Sequence, residues 1–65
     1  MNLKSWEATI NQIANESNYE PKESGKHRVL TAWRTKLERE PISLPVFLVD
    51  EIVREVRKRL ITVSP

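Results

Sequence analysis

Apolar residues recur at helical spacing in three separate stretches of this chain. Leu3, Trp6, Ile10 and Ile13 follow one another at steps of three, four and three, which brings them to one side of a helix. Glu7, Asn11, Gln12, Asn15 and Glu16 fall mostly elsewhere. Asn2 or Ser5 can cap this first helix, since their side-chain oxygens can accept from free N–H groups one turn on. The pattern fades at Ser17 and Asn18. Residues 17–25 contain Pro21 and the single glycine, Gly25, and read as a connection in which Tyr19 either folds back or stays exposed.

Val29, Leu30, Trp33 and Leu37 form the second stripe, on a helix expected from Ser24 or Gly25 to about Arg39. Pro41 ends it, because the residue before a proline is pushed out of the helical region. Val49, Ile52, Val53, Val56 and Leu60 form the third stripe, on a helix expected from about Leu44 to Leu60. Ser43 as N-cap would put Pro45 in the first turn, where its missing N–H does no harm. Asp50 and Glu51 near the start and Arg57, Lys58 and Arg59 near the end suit the helix dipole. Asp50–Arg54 and Glu55–Arg59 are acid-before-base pairs four apart. The competing reading is a short edge strand near residues 42–49, which are rich in β-branched residues and tolerate Pro45 only at an edge. Thr62–Pro65 is expected to fray. The pattern as a whole predicts an all-α, small three-helix bundle occupying residues 1–65 as a single domain.

Composition narrows the classes of function. A chain of 65 residues buries only about 60% of its unfolded surface, so its stability is marginal and rests on tight packing or a partner. Without cysteine it has no disulfide or thiolate site, and His27 alone cannot hold a metal. No cofactor is expected. No apolar run approaches the ~20 residues of a membrane span, and the N-terminus lacks the apolar core of a signal peptide, so the expected compartment is the cytoplasm. The net charge of +2 is uneven: residues 1–24 carry −2, residues 25–40 +3 and residues 41–65 +1. The middle segment is therefore the candidate basic patch.

His27 has no nucleophile or carboxylate arranged around it in sequence, so a general-base role has no support. No motif assembles nucleophile, base and stabiliser, and no small-molecule substrate is evident; the chain reads as non-enzymatic. Trp6 and Trp33 lie on apolar stripes and are expected in the core. Lys26, His27, Arg28 and Arg34 are the candidate phosphate contacts, although Lys36 and Arg39 lie on other sides of the same helix. A helix-turn-helix built from helices two and three would present Leu44–Val49 to DNA, which cannot read a base. Built from helices one and two, it would offer Lys26, Arg28, Thr31, Arg34 and Thr35, across a connection of roughly eight residues that is long for the motif's 3–4-residue turn.

Val46-Phe47-Leu48-Val49 is the most informative stretch. Four consecutive apolar residues point all round a helix, whereas a helix in a small bundle buries one face. Val49 belongs to the core stripe, and Phe47 stands about 160° from it. Pro45, Val46, Phe47 and Leu48 are therefore the candidate protein interface, for another protein or for a second copy in a homodimer. The expected function is a small protein-interaction or regulatory module. The alternative is a weak nucleic-acid-binding protein using Lys26, His27, Arg28 and Arg34.

Overall fold

The three stripes form three helices. In the computed structural model, which describes residues 3–61, a 3-10 turn at Lys4–Trp6 leads into α1, Glu7–Tyr19. Helix α2 spans Glu23–Glu38 and α3 spans Val46–Lys58. Each helix packs on the other two, so the chain is an all-α three-helix bundle. Among the described residues there is no strand, and none of the helices is long and apolar enough to cross a membrane. The Asn2 cap and the Thr62–Pro65 tail lie outside the described residues.

The core is built from the residues that share the stripes. Ile10, Ile13 and Ala14 of α1 meet Leu30 and Leu37 of α2 and Val49, Ile52, Val53 and Val56 of α3. Leu3, Trp6, Trp33, Ile42, Leu44, Leu48 and Leu60 pack around this cluster while only partly buried. Both tryptophans thus sit at the margin of the core and not inside it. Val29 is likewise only half-buried.

The helix starts differ from expectation. Neither Ser5 nor Ser43 caps a helix, and none of the three has a side-chain hydrogen bond at its N-cap. Pro45 is itself the N-cap of α3, extended at φ −67° and ψ 152°, and its carbonyl accepts from the Leu48 and Val49 N–H groups. The reason lies in Leu44. A helix capped by Ser43 would make Leu44 its first residue, directly before a proline, where the helical region is sterically disfavoured. Ser43 instead takes a left-handed conformation at φ 49°. Its N–H donates to the Arg39 carbonyl and that of Leu44 to the Leu37 carbonyl, so the connection satisfies the open end of α2.

The connection read at residues 17–25 shrinks to Glu20–Lys22, because α1 runs on to Tyr19 and α2 begins at Glu23. A buried lysine closes this corner. Lys26 is only 4% exposed, and its ammonium donates to the carbonyls of Ser17, at 3.1 Å, and Glu20, at 2.9 Å. A cation here meets the partial negative charge at the C-terminus of α1. Gly25 lets the first turn of α2 approach that corner: an added Cβ would stand 3.0 Å from Glu20 Cβ. The other end of the chain is held by Asn18, whose amide donates to the Arg59 carbonyl and whose oxygen accepts from the Ile61 N–H.

Candidate interaction surface

Helix α3 fills one side completely and leaves the other open. Val49, Ile52 and Val56 are fully buried and Val53 nearly so. Steps of about 100° put Phe47 opposite them, and it is 60% exposed, as is Val46 beside it. Pro45 is exposed too, whereas Leu48 is half-buried against the core. The four candidate interface residues therefore divide. Pro45, Val46 and Phe47 form the open surface, and Leu48 anchors it from beneath. Tyr19 does not cover this patch, since it stands 90% exposed in the last turn of α1.

Beyond Phe47 the open side of α3 is charged. Asp50, Arg54, Arg57 and Lys58 are exposed and Glu51 half-buried. Arg54 pairs with Glu51 at 3.3 Å and Lys58 with Glu55 at 3.0 Å, both within the helix. The sequence spacing pairs Asp50 with Arg54, whereas in the structure Asp50 pairs with Arg34 of α2 at 2.6 Å. Arg59 meets Glu7 of α1 at 2.9 Å and Glu55 at 3.6 Å. The Lys58 hydrogen bond is the main influence holding the Glu55 carboxyl below its ordinary range.

The basic candidates of α2 do not form one surface. Lys26 is buried with its ammonium on backbone carbonyls, and Arg34 is drawn to Asp50 and, at 4.0 Å, to Glu38. His27 and Arg28 remain exposed. Lys36 and Arg39, which lie away from Lys26 and Arg34, line a shallow cleft of about 270 Å³ with Ala32, Thr35 and Glu40. A 100° step places Arg28 on the same side as Ala32 and Thr35.

Trp33 belongs to a polar cluster. Its indole N–H donates to Glu16 at 3.0 Å, Gln12 donates to the other Glu16 oxygen at 3.0 Å, and the Lys36 ammonium lies 4.4 Å from the ring centre. The indole bond, followed by the Gln12 bond, keeps the Glu16 carboxyl below its ordinary range. These side chains and Ala32 border an open cleft of about 230 Å³. Their spacing was visible in sequence, but their convergence needed α1 and α2 in register. Among the described residues no three His, Cys, Asp or Glu side chains gather as metal ligands. No protein family, curated protein or solved structure matches this chain.

Proposed function

We propose that this chain is a small, non-catalytic interaction module that works by self-association through the start of α3. The observation that carries the reading is the pair Val46 and Phe47, each 60% exposed on a helix whose opposite side is full. Leaving a Phe side chain in water costs roughly 1.5–3 kcal/mol relative to burying it. A two-fold contact recovers that cost in both copies, because an isologous interface uses the same patch twice. Pro45 stiffens the approach and brings no N–H that would need a partner. The reading takes the cytoplasm as the compartment.

Sedimentation over a range of protein concentrations tests this. The wild type should dimerise as concentration rises, and Phe47→Asp should give a folded monomer. An acid in the first turn of α3 suits the helix dipole, so the variant has no reason to unfold. A wild type that stays monomeric at high concentration removes the reading. Circular dichroism keeps the variant interpretable: an unfolded Phe47→Asp would make Phe47 part of the core.

A second reading is favoured by one observation. The three-residue Glu20–Lys22 connection has the length of a helix-turn-helix turn, which the sequence pattern did not give it. Helix α2 would then present His27, Arg28, Thr31 and Thr35, all exposed, to nucleic acid. Lys26 is no test of this reading, because replacing it disturbs the α1–α2 corner. Arg28→Glu/Arg39→Glu is the better variant. Salt-dependent binding of a labelled duplex that is lost in this variant would put the second reading first.

A further inference from the structure

The open stripe of α3 is polar along its length as well as across it. Phe47, Glu51, Arg54 and Lys58 succeed one another at spacings of four, three and four, with Asp50 and Arg57 on the flank. On the stripe and this flank the acids Asp50 and Glu51 therefore lie nearer Phe47 and the bases Arg54, Arg57 and Lys58 nearer the C-terminus, while Glu55 on the opposite flank bonds Lys58 within the helix. A second copy laid parallel on this stripe would set acid against acid and base against base. Laid antiparallel, it sets Glu51 against the second copy's Arg54, and Arg54 against its Glu51. In the same register Lys58 of the second copy reaches Phe47, with its methylene stem on the ring and its ammonium near the ring face.

Both cations hold a partner within the helix, Arg54 with Glu51 and Lys58 with Glu55, but these exposed pairs are weak enough to be exchanged for contacts with a second copy. Arg54 is 67% exposed and Lys58 65% exposed. A guanidinium has five N–H donors, and the pair within the helix engages Arg54 through one nitrogen. The exposed apolar patch is too small to hold two copies by itself. A specific interface covers about 800 Å² per partner, which requires the contact to run along the helix.

Resting on the self-association reading, we propose that α3 pairs antiparallel with α3 of a second copy, with Glu51 and Arg54 forming reciprocal ion pairs and Lys58 covering Phe47. The two-fold axis passes beside the helix between the levels of Ile52 and Val53, the midpoint of both Glu51–Arg54 and Phe47–Lys58. A helix of this length spans only ~20 Å. The dimer is accordingly weak, dependent on concentration and weakened further by salt.

E51R leaves the stripe with bases at positions 51, 54 and 58, and R54E sets acids at both 51 and 54 while Lys58 stays basic. Each is measured alone and as an equimolar mixture, by sedimentation or light scattering at low salt, with circular dichroism to check folding. The axis doubles every change, so each variant alone should dimerise at least about tenfold more weakly than wild type, a factor worth ~1.4 kcal/mol. The mixture should recover dimers of wild-type strength, now heterodimers. The intrahelical repulsion introduced by each change persists in the mixture, so recovery reports contact between chains alone. If E51R and R54E each dimerise as wild type does, or if mixing restores nothing, the antiparallel pairing is overturned. When that happens while Phe47→Asp still abolishes a wild-type dimer, self-association through Phe47 survives without this geometry. A wild type that never dimerises overturns both.

Discussion

Replacing Lys26 by Met keeps most of the buried stem and removes only the ammonium. That group donates to the Ser17 and Glu20 carbonyls at the end of α1 while the residue is 4% exposed. A hydrogen bond from a charged donor is worth ~1.5–3 kcal/mol, and a cation at a helix C-terminus adds ~0.3–1. Two effects reduce the sum. The Ser17 carbonyl also accepts from the Glu20 N–H, so it is not orphaned. Removing the ammonium also relieves the cost of having buried it. The net loss expected for Lys26→Met is ~1.5–3 kcal/mol. A domain of this length has ~3–10 kcal/mol of stability in all. At ~4–8 °C per kcal/mol for domains this small, the melting temperature should fall by ~6–24 °C. Thermal and urea denaturation followed by far-UV circular dichroism reads the change. Lys26→Ala should lose more, since the packed stem goes too, whereas exposed Lys22→Met should stay within ~0.5 kcal/mol of wild type. The Lys26→Met deficit should persist in high salt, because buried groups are little screened. A Lys26→Met protein as stable as the Lys22→Met control would refute the argument, and with it the closing of the α1–α2 corner by this side chain.

Two further outcomes follow from the core and the Trp33 cluster. Leu37→Ala empties a fully buried site at the meeting of the helices and should cost ~2–5 kcal/mol; an unchanged urea midpoint would take Leu37 out of the core. Trp33→Phe removes the donor to Glu16, so the Glu16 carboxyl, followed by NMR, should titrate below its ordinary value in the wild type and closer to it in the variant. Because folding lowers that value, the contribution of Glu16 to stability is present above its unfolded pKa and is lost as pH falls through the folded one. Acid should therefore destabilise Trp33→Phe less than wild type, and equal losses would deny the indole–carboxylate bond.

The exposed side of α3 was legible in the sequence, since it follows from two local facts. Val49 begins a stripe continued by Ile52, Val53 and Val56, and a helix turns about 100° per residue. Once the stripe is buried, Phe47 has to face outward. The same logic failed for Trp33, because being on a stripe does not say whether the stripe's edge is covered. Helix α1 meets α2 beside Glu16, so the indole stays at the rim with its N–H bonded to a carboxylate. It failed for Lys26 in the opposite sense. Nothing near Lys26 in sequence marks it as buried; its acceptors are the last carbonyls of another helix.

Local periodicity and chain stereochemistry thus determined the three helices, their core faces, the break at Pro41 and the outward direction of Phe47, since each depends on residues within a turn or two. Tertiary structure alone decided which cations are spent and which stay free. Lys26 goes to the end of α1, Arg34 to Asp50, and Lys36 lies over Trp33, while Arg28 remains in solvent. A charge on a long side chain answers to whatever the fold brings within its reach, and that is set by how the helices pack against one another rather than by its neighbours along the chain.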